Sequence, residues 1–96
     1  MDFSKDHFSA CLNQSFRLMA SSSPVEQLTL IRVDEHPEQM NRIGPEAYSV
    51  VLQGPPGQVL PRNLYRLSHE EHGKFDLFIA PVGQDEWGVR YEAVFA

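Results

Sequence analysis

Apolar and polar residues alternate with a period of two along most of the chain after residue 14. Successive side chains of a β-strand point to opposite faces, so this alternation is typical of strands that are buried on one face. Six such stretches occur, separated by residues that favour turns, among them Gly44-Pro45 and Gly54-Pro55. The predicted inward residues are Phe16 and Leu18; Leu28 and Leu30; Tyr48, Val50 and Leu52; Tyr65 and Leu67; Phe75, Leu77 and Ile79; and Val89, Tyr91, Ala93 and Phe95.

The pattern near the N-terminus has the period of a helix instead. Phe8, Cys11 and Leu12 follow the i, i+3, i+4 spacing, which predicts a short helix over residues 3–13 with one apolar stripe. A helix of this length is marginally stable in water. We therefore expect the stripe to pack against the remainder of the chain.

Together these elements predict a fold of the mainly β (α+β) class. Six short strands joined by turns indicate an antiparallel meander over residues 15–95. A nearly closed sheet protects its edge strands, so we expect a small barrel or strongly curled sheet, with the helix covering one open end.

Four local features refine this prediction. Ile31 and Val33 are out of phase with Leu28 and Leu30, so either a β-bulge lies near Ile31 or this strand is covered on both faces. Gly73 is expected to supply a positive φ in the turn that follows residue 69. Another turn is predicted over residues 81–86, and the longest loop over residues 35–45.

The composition is that of one small globular domain spanning residues 1–96. The chain is 42% apolar and 22% charged, which is well away from disordered compositions. Its net charge of −5 and its dispersed basic residues make nucleic acid and anionic membranes poor partners. The first 14 residues lack the apolar core of a signal peptide, and Cys11 is the single cysteine. We therefore expect a cytoplasmic protein.

Four segments of the chain carry a family resemblance. They are Gln53-Gly54-Pro55-Pro56; Leu60-Pro61 followed by Tyr65, Leu67 and His69; Leu77-Phe78 with Pro81-Val82-Gly83; and Tyr91-Glu92-Ala93-Val94-Phe95. This framework resembles an uncharacterised bacterial family of small domains of unknown function. Arg62-Asn63 stands where such members often have glycine. The resemblance implies a single-domain bacterial protein, with relatives near phage-tail-like or surface-appendage genes, and it brings no catalytic residues.

Three histidines are candidate metal ligands, namely His36, His69 and His72. Closed zinc sites need three or four converging ligands, and His69-Glu70-Glu71-His72 lacks the helical i, i+4 pair of zinc proteases. A turn at these residues is expected to point the two rings apart. The sequence therefore predicts no native metal site and no cofactor.

Catalytic machinery is not recognisable either. No serine occupies a Gly-x-Ser-x-Gly motif, and the prolines of residues 54–57 remove the amides that a phosphate-binding loop needs. Because Cys11 shares its stripe with Phe8 and Leu12, we expect a buried, inert thiol. The sequence thus predicts a non-enzymatic protein with no catalytic residues.

Five apolar residues fall in the outward phase of their strands: Met19, Ile31, Val51, Phe78 and Val94. Those that the helix or the long loop does not cover would form a surface for another protein. The predicted function is accordingly an interaction or assembly module that contacts another protein chain or its own copy through this surface and the 35–45 loop. The alternative is a β-barrel that binds a small ligand or a metal, with a cavity lined by Tyr48, Tyr65, Trp87 and Tyr91.

Overall fold

The structure, a computed structural model, describes residues 5–19, 27–35 and 48–95. Within these ranges the chain forms helix α1 (Lys5–Ala10) and the strands β1 (Ser15–Leu18), β2 (Gln27–Glu35), β3 (Tyr48–Gly54), β4 (Asn63–His69), β5 (Gly73–Asp85) and β6 (Gly88–Phe95). Helix α1 is shorter than the helix predicted over residues 3–13. Residues 3 and 4 lie outside the described ranges.

The six strands close into an antiparallel barrel in the order β1-β2-β3-β6-β5-β4, with β4 also paired to β1. The predicted small barrel is confirmed. Its strand order is not that of a single meander, because β3 pairs with β6 rather than with β4. The barrel is therefore built from two three-stranded meanders, β1-β2-β3 and β4-β5-β6, and the segment between β3 and β4 connects them.

Side chains in the predicted inward phase fill the barrel. The register pairs Leu30 with Leu52 and Leu52 with Tyr91, which brings three inward positions of neighbouring strands side by side. Burial of these side chains removes apolar surface from water, which is the main favourable contribution to folding. The fully buried large residues of the strands are Phe16, Leu28, Leu30, Val50, Leu52, Leu67, Ile79, Val89 and Tyr91.

Helix α1 covers one end of the barrel through Phe8. The Phe8 ring is fully buried, 5.4 Å from the Phe95 ring and 6.3 Å from the rings of Tyr48 and Phe75. The predicted stripe is only partly correct: Phe8 and Cys11 are buried, but Leu12 is 39% exposed. The helix ends at Ala10 and the chain takes a left-handed conformation at Asn13 (φ 69°), so Leu12 leaves the helical stripe.

The segment between β3 and β4 covers the opposite end. Leu60 is buried there, and its backbone N–H donates a 2.9 Å hydrogen bond to the hydroxyl of Tyr91 inside the barrel. The same hydroxyl donates to the carbonyl of Gln58 at 3.3 Å. This anchoring lets the segment cross from β3 to β4 without leaving a buried amide unpaired.

The structure also settles the predicted irregularities and turns of the strands. The β2–β3 register shifts between Leu30 and Arg32, which confirms the bulge near Ile31. Gly73 has the predicted positive φ, 79°. The turn predicted over residues 81–86 is wrong, because β5 continues to Asp85. A register shift between Pro81 and Gly83 accommodates the proline, which cannot donate to a regular ladder. Residues 36–45 of the predicted loop lie outside the described ranges.

Candidate functional site

The strands of the second meander carry four exposed large apolar side chains. Val82, 57% exposed, lies at the register shift of β5, and the other three lie in the outward phase of their strands. Leu64 on β4 pairs directly with Phe78 on β5, and these residues are 56% and 51% exposed. Val94 on β6 is 61% exposed. Ala80 on β5 pairs with Glu92 on β6, and residues two apart on a strand share a face. Phe78 and Val94 are each two residues from this pair, so their side chains lie on the same outer face. We call Leu64, Phe78 and Val94 the outer patch.

Charged residues border the outer patch. The guanidinium carbon of Arg62 lies 5.4 Å from the centre of the Phe78 ring, within the range of a cation–π contact. In the next row of β4 and β5, Arg66 donates a 2.9 Å hydrogen bond to Asp76 and lowers the pKa of that carboxyl. The patch is thus apolar at its centre and polar at its rim, as protein interfaces are.

The five predicted surface residues do not form one surface. Phe78, Val94 and Met19 are exposed, whereas Ile31 is half-buried at the bulge of β2. Val51 is buried, so it is unavailable to a partner, and its inclusion in the surface was wrong. Strand alternation alone could not reveal this, because Val51 lies in a strand with both faces covered. Leu64 was missed, although its position before Tyr65 placed it in the outward phase.

A second exposed feature is the turn between β5 and β6. Asp85 holds this turn together by accepting hydrogen bonds from the backbone N–H of Trp87 at 2.9 Å and from Arg90 at 2.8 Å. The Arg90 hydrogen bond and the Trp87 amide lower the pKa of the Asp85 carboxyl. Trp87 itself is 72% exposed. Several residues close to this turn in the sequence line a shallow depression of about 160 Å³, which is formed by Val59, Pro81, Gly83, Gln84 and Val89.

The four aromatic residues of the predicted ligand cavity are not gathered around one space. Tyr48 and Tyr91 are buried, Tyr65 is half-buried, and Trp87 is exposed at the turn. The Tyr65 hydroxyl donates to the carbonyl of Pro61 at 2.5 Å, and the Tyr91 hydroxyl is bonded to residues 58 and 60. The hydroxyls of Tyr65 and Tyr91 thus bind the protein's own backbone.

A cluster of metal-ligating side chains lies beside the helix-covered end. Cys11, His69 and His72 each offer one ligand atom, and these atoms lie within 4.8 Å of one another. The prediction that the turn points the two histidine rings apart is wrong, since their centres are 4.8 Å apart. His36, the third candidate from the sequence, lies outside the described residues. Sequence reasoning missed Cys11 as a member because only the fold brings it near the β4–β5 turn.

The family model of a domain of unknown function, DUF6916, matches residues 3–95. The chain belongs to the DUF6916 family. No curated protein and no solved structure matches the chain. The match covers all six strands of the barrel and helix α1. The resemblance found in the sequence is therefore confirmed at the level of the family.

The cysteine of this DUF6916 domain is a buried thiol. Cys11 is the free thiol of the chain, and burial, together with the charge of Glu71, raises its pKa. A protonated thiol is a poor nucleophile. Among the described residues, no helix is both long and apolar enough to span a membrane.

Proposed function

We propose that this domain is a non-enzymatic assembly module that binds a second copy of its own chain through the outer patch. The observation that carries the proposal is the Leu64–Phe78 pair, in which two large apolar side chains lie opposite each other on neighbouring strands and are both more than half exposed. Val94 extends the same face. A contiguous exposed apolar surface with a polar rim is characteristic of a protein-binding site.

The outer patch is held in place before any partner arrives. Strand β5 is paired on both sides. Its pairing with β4 runs from the Ile79 and Asn63 pair to the Gly73 and His69 pair. Its pairing with β6 runs from the Ala80 and Glu92 pair to the Asp85 and Gly88 pair. Arg62 packs against the face of Phe78. Side chains on a rigid sheet lose little conformational entropy on binding, which favours association even through a small surface.

The charges at the rim support a second copy as the partner. Arg62 lies at one side of Phe78, and Glu92 lies on the strand at the other side. A two-fold axis through the patch can therefore place the basic side of one copy opposite the acidic side of the other. The net charge of −5 opposes this approach, so we expect weak association that strengthens as salt screens the repulsion.

Size-exclusion chromatography with light scattering tests the proposal on the full chain. We expect the average molar mass of the protein to rise as its concentration increases from about 10 µM to about 1 mM, and to rise further with added salt. Phe78→Glu removes the central apolar ring and places two like charges against each other, so association should fall at least about tenfold. Val59→Glu is the matched control, because Val59 is equally exposed but lies in the segment between β3 and β4.

Two outcomes would overturn the proposal. One is a wild-type chain that stays monomeric at every concentration and salt level. The other is self-association that persists in Phe78→Glu but is lost in Trp87→Glu, which would assign the interface to the β5–β6 turn. Circular dichroism must show that each variant keeps its β-sheet spectrum.

Two further parts of the proposal rest on Cys11. The non-enzymatic role is supported by the burial and the raised pKa of this thiol. A cytoplasmic location is also part of the proposal, and a single buried cysteine is compatible with a reducing compartment. Symmetric self-assembly would also suit the phage-tail-like or surface-appendage setting that the family resemblance implies.

A further inference from the structure

Three side chains from two distant parts of the chain converge at the helix-covered end of the barrel. Cys11 follows helix α1, His69 is the last residue of β4, and His72 lies in the turn before β5. Their ligand atoms lie within 4.8 Å of one another, and Cys11 and His69 are buried while His72 is half-buried. One sulfur and two imidazole nitrogens form a donor set that suits zinc and similar borderline-soft ions.

The hydrogen bonds of His69 fix its tautomer. The backbone N–H groups of Glu71 and His72 point to Nδ1 at 3.1 and 3.3 Å, so Nδ1 carries a lone pair and no proton. Nε2 therefore carries the hydrogen and donates it to Oε1 of Gln14 at 2.6 Å. A ligating histidine commonly binds the metal through one nitrogen while the other donates to an oxygen that orients the ring. His69 has this arrangement, with Gln14 as the orienting residue.

We propose that Cys11, His69 and His72 bind a zinc ion that ties the end of helix α1 to the β4–β5 turn. In a tetrahedral site, bonds of about 2.0 Å to nitrogen and 2.3 Å to sulfur separate the ligand atoms by about 3.5 Å. The three side chains must then move together by on the order of 1 Å. At Nδ1 of His69 the metal would replace the hydrogen bonds from the amides of Glu71 and His72, and water would have to take the place of His69 as their partner.

The surroundings of Cys11 are consistent with this role. Cys11 is buried beside the two imidazoles, and water can complete the fourth position of a tetrahedral site. On binding, Cys11 would release its proton to solvent as the sulfur–zinc bond forms. The ion would also stabilise a helix of six residues, which is too short to persist without docking.

Isothermal titration calorimetry of the metal-free full chain with Zn²⁺ tests the proposal. We expect one ion per chain and the release of a proton, measured by repeating the titration in buffers with different ionisation enthalpies. Co²⁺ should give the absorption bands of a tetrahedral thiolate complex. Cys11→Ser and His72→Ala should each weaken Zn²⁺ binding at least about tenfold, whereas Glu70→Ala, an exposed carboxylate in the same turn, should leave it unchanged.

His72→Ala is preferred to a change at His69 because His69 also binds the turn backbone, so its loss can unfold the end of the barrel. The circular dichroism spectrum and the thermal midpoint without metal establish that each variant is folded. The proposal is overturned if Zn²⁺ does not bind, or if folded Cys11→Ser and His72→Ala bind it as tightly as the wild-type chain. The latter result would assign the metal to acidic groups on the surface.

Discussion

The hydroxyl of Tyr91 accepts a 2.9 Å hydrogen bond from the backbone N–H of Leu60, although the two residues are 31 positions apart in the chain. Tyr91 lies inside the barrel on β6, and Leu60 lies in the segment that crosses from the first meander to the second. This contact explains how the crossing segment is held against the end of the barrel. It also makes the two meanders one structural unit.

Tyr91→Phe should destabilise the folded chain by about 1–2 kcal/mol, because it leaves the buried amide of Leu60 without a partner. Urea unfolding measures this loss. Tyr65→Phe is the control, since it removes a hydroxyl that binds the carbonyl of Pro61, and Pro61 is exposed, so water can replace that hydrogen bond. Equal effects of the two substitutions would contradict the role given to Tyr91.

Leu60→Ala should cost about 2–4 kcal/mol, because Leu60 is buried at the end of the barrel and its loss leaves a cavity. Val59→Ala, at the neighbouring exposed position, should change the free energy of unfolding by less than about 0.5 kcal/mol. Urea midpoints of the two variants provide the comparison. A Leu60→Ala variant as stable as Val59→Ala would show that this segment does not close the barrel.

Gly88→Ala should be more destabilising than Gly57→Ala. A Cβ at Gly88 would lie 2.2 Å from the carbonyl oxygen of Gly54, whereas one at Gly57 would meet nothing within 4 Å. Both residues have a positive φ, which alone costs about 1–2 kcal/mol for alanine. Gly88→Ala adds a backbone clash, so we expect it to shift the thermal midpoint further. Similar midpoints for the two variants would refute the close approach of β6 to β3.

The Asp85 carboxyl should titrate below the ordinary aspartate value of 3.8, because hydrogen bonds from Arg90 and the Trp87 amide favour its ionised form. Since the folded-state pKa is lowered, these hydrogen bonds stabilise the turn at pH values above 3.8, and their contribution is lost as the pH falls through the lowered pKa. Carbon-13 NMR of the carboxyl group measures the pKa directly.

Arg90→Gln should raise the pKa of Asp85, while the matched change Arg66→Gln should raise only that of Asp76. An Asp85 pKa that does not respond to Arg90→Gln would mean that the ion pair does not hold the turn. The Trp87 fluorescence spectrum should follow the same titration, because the turn carries this exposed side chain.

The strands and the barrel could be predicted from the sequence because side-chain alternation reports which face each residue occupies. The phase reversal at Ile31 was visible for the same reason, but it was equally compatible with a strand covered on both faces, and the register shift identifies it as a bulge. The strand order was not visible, because alternation does not identify the neighbouring strand. The pairing of β3 with β6 depends on the crossing segment, whose anchor is the contact between Leu60 and Tyr91.

The candidate sites were only partly accessible from the sequence. Phe78 and Val94 were predicted correctly as exposed, but the burial of Val51 depends on what covers β3. The approach of Cys11 to His69 and His72 depends on where helix α1 docks, which no local pattern specifies. Exposure of Leu12 likewise follows from the end of the helix at Ala10.

The central claim, that the outer patch binds a second copy, is tested most directly by isotope-filtered NOE spectroscopy. A concentrated mixture of carbon-13-labelled and unlabelled chains reports only the contacts between copies. We predict intermolecular NOEs from the Phe78 ring to the methyl groups of Leu64 or Val94. Intermolecular NOEs confined to Trp87 or Met19, or none at a concentration where the chain is dimeric, would contradict the account.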